Sequence, residues 1–263
     1  MTIEATLITQ FQAFAEELAD MAGAVIMPYF RSQASVEDKG GVLFDPVTAA
    51  DRAAERVMRE MIRARYPDHG ILGEEEPPFV GSAEWKWVLD PIDGTRAFIT
   101  GLPLWGTLIA LNDGVKPLIG LMNQPFTRER FIGTPGGAWA NGHRLQARPC
   151  AALASARVMC TSPQMFDDPR QRAAFEHVAA GAQMVRYGGD CYAYCMLAAG
   201  QIDAVIEAGL QAYDVQALMP IIEGAGGVIT SWDGRDAQHG GTVLACGDPL
   251  LHEQLLGMLR HAA

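Results

Sequence analysis

Two aspartates three residues apart, in the segment WVLDPIDGTRAF, constrain this chain more than any other feature. Asp90 ends an alternating apolar run that predicts a strand, and Pro91, which cannot donate to a ladder, is expected to end the sheet. After Asp93, Gly94 permits a positive φ and Thr95 is a favourable N-cap for a short helix. The segment therefore predicts a strand, a tight turn and a helix start.

This turn would direct two carboxylates and the carbonyl of Ile92 to a single point, next to exposed backbone amides. Hard oxygen ligands beside an anion site suit Mg²⁺ with a phosphate bridging to it. Without a cation, carboxylates this close repel one another and are costly to desolvate. A plain Asp-Gly turn with a helix cap is the alternative, and the segment alone leaves both interpretations open.

Two further acidic residues favour the metal-site interpretation. Glu74 ends a short predicted strand, and Asp214 stands just ahead of a helix predicted over residues 215–223, where it could simply be an N-cap. Each of them alone is more often structural. Together with Asp90 and Asp93 they form a better candidate metal site, because the charge of a Mg²⁺ ion would relieve their mutual repulsion.

Composition limits the classes of partner and the cellular compartment that we expect for this protein. The chain has 263 residues and a net charge of −11, from 20 basic and 31 acidic residues, which disfavours binding to a nucleic-acid backbone. An acidic protein that acts on a phosphorylated substrate would need metal ions to offset the repulsion. The N-terminal segment is unlike a signal peptide, and no run approaches the ~20 apolar residues of a membrane span. The five cysteines form no C-x-x-C pair. We therefore expect a cytoplasmic protein with neither membrane nor nucleic-acid partners.

The order of predicted elements changes near Arg148–Pro149. Before this point, helices over about residues 7–28 and 48–66 precede strands typical of an antiparallel sheet, with a hairpin at Asn112–Gly114. After it, strands and helices alternate, and DVQALMPIIEGAGG is typical of one helix closed by glycines. The sequence predicts an α+β / α/β protein. It would be a single domain, residues 1–263, made of two lobes over about 1–148 and about 149–263.

Four segments resemble the signature regions of the inositol monophosphatase family, and the resemblance spans about residues 7–260. They are DPVTAAD ending at Asp51, GEE at Gly73–Glu75, DPIDGT at Asp90–Thr95 and YDVQALMPIIEGAGG at Tyr213–Gly227. The resemblance implies a layered αβαβα sandwich and a Mg²⁺-dependent phosphatase acting on a small phosphate monoester. It also implies a homodimer, since members of the family commonly form dimers.

The resemblance further implies the metal ligands, for two or three Mg²⁺ ions per active site. Glu74, Asp90 and the carbonyl of Ile92 would hold one ion. Asp90, Asp93 and Asp214 would hold a second. Two metals ~4 Å apart can polarise both the phosphoryl oxygens and the leaving oxygen of an in-line displacement.

The same resemblance implies which residues act on water and on phosphate. Thr95, hydrogen-bonded to Asp51, would orient and deprotonate the attacking water, with Glu74 as a third catalytic residue. The amides of Gly94 and Thr95 would bind the phosphate. Lys39 lies near a lysine that several members carry in a mobile loop, and its role stays open.

Two segments, RAFITGLPLWGTLIAL and RYGGDCYAY, depart from the inositol-phosphatase pattern and resemble the histidinol-phosphate phosphatase branch, which produces L-histidinol in histidine biosynthesis. The second segment puts Asp190 directly after two glycines, and Glu207 lies at a position that the family uses to contact the organic part of the substrate. Two carboxylates would suit the ammonium and imidazole groups of histidinol phosphate. Asp190 could instead be an N-cap, and Glu207 a solvated charge at a strand end.

Three rival interpretations compete with this one. An inositol or other sugar-alcohol monophosphatase would use Glu207 to accept hydrogen bonds from hydroxyls. A covalent phospho-enzyme or an NTPase lacks support, because the chain has no G-x-S-x-G elbow, no cysteine in a phosphate-cradling loop and no Walker A loop. A metal-binding regulatory protein on the same scaffold would have no chemical need of Thr95 and Asp51.

Overall fold

Two large β-sheets alternate with three layers of helices in the computed structural model, which describes residues 5–32, 36–38 and 46–263. A third, two-stranded sheet pairs residues 36–38 with residues 46–48. The elements of the first half are α1 (Ala5–Ile26), β1 (Val36–Asp38), β2 (Pro46–Thr48), α2 (Ala49–Arg65), β3 (Gly70–Gly73), β4 (Lys86–Asp93), α3 (Thr95–Ile99), β5 (Gly106–Asn112), β6 (Pro117–Gln124), β7 (Glu129–Thr134), β8 (Gly137–Ala140) and β9 (His143–Arg144). Those of the second half are β10 (Arg157–Cys160), α4 (Pro169–Gly181), β11 (Met184–Tyr187), α5 (Asp190–Ala198), β12 (Ala204–Leu210), α6 (Ala212–Val215), α7 (Leu218–Gly224), β13 (Val228–Thr230), β14 (Gly241–Cys246) and α8 (Pro249–Leu259). This layered arrangement confirms the predicted αβαβα fold.

The first sheet has seven strands in the order β3-β4-β5-β6-β7-β8-β9. β3 is parallel to β4, and every later neighbour pair is antiparallel, including the predicted hairpin between β5 and β6. Every residue of β5 and β6 is buried. Helices cover both faces of these strands, which explains their nearly continuous apolar sequence.

The outer helical layer of this sheet consists of α1 and α2, which pack on each other and on β4, β5 and β6. Phe11, Phe14 and Leu18 of α1 are buried at helical spacing, and both phenylalanines make edge contacts with Trp87 of β4. α2 ends at Arg65, two residues before Pro67, as the sequence predicts.

The second sheet has five strands in the order β11-β10-β12-β14-β13. The middle layer, formed by α5, α6 and α7, lies between the two sheets, and α4 and α8 cover the far side of the second sheet. The strand ends and helix starts of the two halves therefore meet along the middle layer, where the acidic residues singled out in the sequence lie. Among the described residues, no helix combines the length and apolar character that crossing a membrane requires.

The predictions for the end of β4 and for the helix after Asp214 are wrong. β4 does not end at Pro91 but continues to Asp93, with a register shift between Asp90 and Asp93 that absorbs the missing N–H of the proline. The carbonyl of Pro91 accepts a hydrogen bond from the Thr107 hydroxyl at 2.8 Å. The single helix predicted over residues 215–223 is two helices, and Asp214 lies inside the first of them, α6.

Candidate active site

The turn between β4 and α3 is held by hydrogen bonds within its own few residues. The amide of Ile92 donates to Oδ1 of Asp90 at 3.1 Å, and the hydroxyl of Thr95 donates to the carbonyl of Ile92 at 3.0 Å. Gly94 has a φ of 83°, and a Cβ added to it would lie 2.9 Å from the carbonyl oxygen of Leu104. Gly94 is thus the N-cap of α3, and Thr95, predicted to be that cap, is the first helical residue.

Three carboxylates converge at this turn. Asp90, Asp93 and Asp214 each offer an oxygen, and these oxygens all lie within 4.8 Å of one another. Backbone amides fix two of the side chains: Cys191 donates to Oδ2 of Asp93 at 2.6 Å, and Gln211 donates to Oδ2 of Asp214 at 2.7 Å. The structure therefore brings together acidic residues that are more than 100 positions apart in the chain.

The electrostatics of this cluster favour a bound cation. Burial, followed by the charge of Glu74 and a hydrogen bond with its side chain, raises the pKa of Asp90 well above its usual value. Burial and then the charge of Asp190 raise the pKa of Asp93 well above its usual value. A divalent ion would reverse this penalty, and carboxylate oxygens are ligands that Mg²⁺ favours. The donor set fits a hard divalent cation.

Two of the predicted water-activating residues are Asp51 and Thr95. Asp51, in the first turn of α2, is almost fully buried. The hydroxyl of Thr95 is engaged with the carbonyl of Ile92, and its predicted hydrogen bond with Asp51 stays a prediction. Lys39 lies outside the described residues.

A second pair of carboxylates, Asp190 and Glu207, lines a pocket next to the acidic cluster. Asp190 and Glu207 line it together with Asp93 and Asp214. Glu207 is 2% exposed inside β12, so it is not the solvated strand-end charge that one interpretation of the sequence allowed. Asp190 is the first residue of α5, where Gly189 is the N-cap, so it is not an N-cap either.

Glu207 is held by two donors. The amide of Thr161 donates to its Oε1 at 2.9 Å, and the hydroxyl of Tyr194 donates to its Oε2 at 2.9 Å. Burial raises the pKa of Glu207 to about 7, against the lowering effect of these hydrogen bonds. Burial likewise raises the pKa of Asp190 to about 6, and the charge of Arg96 opposes the shift. A cationic ligand would favour the ionised form of both.

These raised pKa values predict a pH-dependent stability for the metal-free protein. The pKa of Glu207 is raised from 4.5 to about 7, so between these values the folded state binds more protons than the unfolded state. Stability must then fall as the pH rises through this window, by about 3 kcal/mol for this group alone. We expect the melting temperature in EDTA to fall from pH 5 to pH 8 and Glu207→Gln to flatten the fall. A melting temperature that rises over this range would contradict the assignment.

Sequence reasoning missed the residues that support the second carboxylate pair. Tyr194 is fully buried four residues after Asp190 on α5, and a helical spacing of four does place both side chains on one face. That spacing was the available signal. Thr161 gave none, because its backbone amide reaches Glu207 across 46 positions of the chain.

The family model and the most similar relatives found in comparisons with known proteins indicate the same family. The model of the inositol monophosphatase family matches residues 7–262. The chain is 43% identical over 266 aligned positions to the bifunctional phosphatase IMPL2, chloroplastic, of Arabidopsis thaliana, covering 97% of this chain and 76% of that protein. It is 36% identical over 223 positions to a histidinol-phosphatase of Mycobacterium tuberculosis, covering 81% of this chain and 84% of that one.

Solved structures give the same result for the fold. An inositol monophosphatase from Zymomonas mobilis superposes with a TM-score of 0.85 at 40% sequence identity, covering 94% of this chain and 96% of that one. The Thermotoga maritima inositol monophosphatase superposes with a TM-score of 0.84 at 25% identity, covering 96% of this chain and 97% of that one. With both sequence and fold in agreement, the chain belongs to the inositol monophosphatase family.

Proposed function

We propose that this protein is a Mg²⁺-dependent phosphatase that hydrolyses L-histidinol phosphate to L-histidinol and phosphate, in histidine biosynthesis. The observation that carries the proposal is one pocket that Asp190 and Glu207 line together with Asp93 and Asp214. One carboxylate pair would serve the phosphate end through metal ions, and the other would serve the organic end. The relatives named histidinol-phosphatase, at 32–36% identity, support the same substrate.

The metal ions would be held by the side chains of the acidic cluster and one carbonyl. Glu74, Asp90 and the carbonyl of Ile92 would hold one Mg²⁺, and Asp90, Asp93 and Asp214 a second, with two or three ions in all. When bound, these ions lower the pKa of water and stabilise the charge of the phosphoryl group. They would also bring an anionic substrate to a protein of net charge −11.

The other groups of the turn would orient the reactants. The amides of Gly94 and Thr95 would bind the phosphate, and Thr95, Asp51 and Glu74 would align a water for in-line attack. The water oxygen would bond to phosphorus as the bond to the histidinol oxygen breaks. The water would give up one proton towards Thr95 and Asp51, and the alcohol product would take up one proton, so the protons balance. Asp190 and Glu207 would neutralise the ammonium and the imidazole of the substrate by charge-assisted hydrogen bonds.

An inositol or other sugar-alcohol phosphatase is the second candidate, because one observation favours it. With a pKa of about 7, Glu207 could meet a neutral polyol as a hydrogen-bonding partner without a full charge. The experiment that separates the two is a comparison of kcat/KM for histidinol phosphate and inositol 1-phosphate at one Mg²⁺ concentration. The proposal requires a clear preference for histidinol phosphate.

We also propose a cytoplasmic location, because all five cysteines are free and buried, as a reducing compartment allows. The Arabidopsis relative is chloroplastic by name.

A homodimer is part of the same proposal. The edge strand β11 exposes Met184 and Tyr187, apolar side chains that a partner subunit could cover. We expect light scattering at micromolar concentration to give twice the monomer mass of 28.4 kDa. A measured mass equal to that of the monomer would refute the dimer.

A further inference from the structure

A buried ion pair on α2 lies under the GEE segment and has no part in the reaction described above. Glu55 and Arg59 follow Asp51 at intervals of four, so the three side chains share one face of the helix. Glu55 is 0% exposed and Arg59 is 2% exposed. Nε of Arg59 donates to Oε1 of Glu55 at 2.7 Å.

This pair binds the backbone of the segment that carries Glu74. Oε2 of Glu55 accepts the amide of Glu75 at 2.8 Å, and its Oε1 accepts the amide of Glu76 at 3.0 Å. Arg59 donates to the carbonyls of Glu76 at 2.7 Å and Pro77 at 3.1 Å. The pair thus holds amides and carbonyls on the C-terminal side of Glu74.

The residue on the N-terminal side of Glu74, Gly73, packs closely against the same Glu55 carboxylate. A Cβ added to Gly73 would lie only 2.2 Å from Oε1 of Glu55, so this close approach requires glycine. Glu74 therefore lies between two neighbours that both contact Glu55, and its own side chain hydrogen-bonds Asp90. A buried ion pair usually stabilises a fold less than apolar side chains of similar size would. Its advantage at this position would be to fix the conformation of the backbone around Glu74.

We propose that Glu55 and Arg59 are positioning residues that hold Glu74 in place as a metal ligand. The inference rests on the proposed metal site. Arg59 supplies a planar fork that reaches Glu55 and two carbonyls together, and a lysine cannot reproduce that geometry. Groups that orient a ligand from behind typically change metal affinity by about 10–100-fold when they are replaced.

The test is calorimetric titration of Mg²⁺ into the full chain, stripped of metal, as wild type, Arg59→Lys and Arg65→Lys. Arg65 lies on the same helix in an exposed ion pair with Glu17 and is the matched control. We expect Arg59→Lys to weaken Mg²⁺ binding by about tenfold or more and Arg65→Lys to leave it unchanged. A purely structural role would lower the melting temperature and leave the Mg²⁺ affinity of the folded protein as it was.

Each outcome has a defined meaning. Unchanged affinity in folded Arg59→Lys overturns the inference and leaves the proposed phosphatase intact, whereas a wild type that binds no Mg²⁺ overturns both. Glu55→Gln, which keeps one acceptor oxygen, is the second variant if Arg59→Lys does not fold. If neither variant gives the circular dichroism and cooperative unfolding of the wild type, the pair serves folding and the inference fails.

Discussion

We expect Asp93→Asn to lower kcat by about a thousandfold while the fold survives. The substitution removes one charge from the three-carboxylate cluster, and metal ions in such sites supply several kcal/mol of charge stabilisation, at 1.36 kcal/mol for each tenfold in rate. Little volume changes, and an asparagine oxygen can still accept the Cys191 amide. Because Asp190 and Asp214 repel Asp93, the metal-free variant should melt at a higher temperature than the wild type.

Initial rates of phosphate release, with and without EDTA, check this result. Asp20→Asn is the matched control, since Asp20 is an exposed carboxylate that pairs with Arg130 away from the turn. The control should keep the wild-type rate. Wild-type turnover in Asp93→Asn, or full activity of the native enzyme in excess EDTA, would contradict a metal-dependent mechanism.

Asp190→Asn and Glu207→Gln should each lower kcat/KM for histidinol phosphate by about 10–100-fold, and for p-nitrophenyl phosphate by far less. A hydrogen bond to a charged group is worth about 1.5–3 kcal/mol. Because p-nitrophenyl phosphate has no cationic group, it makes no such bond with these carboxylates and should lose little when they are replaced. Asp190 has a φ of 45°, which asparagine adopts readily, so the backbone of the variant is not strained. Glu207→Gln keeps an oxygen for the Thr161 amide.

The matched control for this pair is Glu129→Gln. Glu129 accepts a hydrogen bond from the Tyr192 hydroxyl at 2.8 Å, much as Glu207 accepts one from Tyr194, but it does not line the pocket. The control should leave both substrates unaffected. Equal losses on both substrates in Asp190→Asn and Glu207→Gln would mean that these carboxylates support the fold or the metals, and the specificity argument would fail.

The local part of the site could be predicted from the sequence, because its geometry is set by adjacent residues. Gly94 and Thr95 after Asp93 predict a turn into a short helix, and the structure has that turn, although the strand continues through Pro91 to Asp93. The convergence of Asp214 on these aspartates depends on packing between the two halves of the chain. The acidic pattern made this convergence a hypothesis, and the resemblance to a family supported it.

The errors in predicting one helix after Asp214 and in allowing a solvated Glu207 also have physical causes. DVQALMPIIEG has a helical pattern throughout, but Pro220 lacks an amide hydrogen and fits best in a first helical turn, so a second helix starts at Leu218. The burial of Glu207 could not be predicted, because its donors, Thr161 and Tyr194, belong to other elements. A charge at a strand position predicts exposure unless such partners are known.

The ratio of kcat/KM for histidinol phosphate to that for inositol 1-phosphate, at one Mg²⁺ concentration, tests the central claim most directly. Both substrates present the same phosphate to the same metal site, so the ratio isolates the organic end of the pocket. Two charge-assisted contacts, from Asp190 and Glu207, should together favour the cationic substrate by about 100-fold or more. The account predicts a ratio of at least about 100, and a ratio near or below one would contradict it.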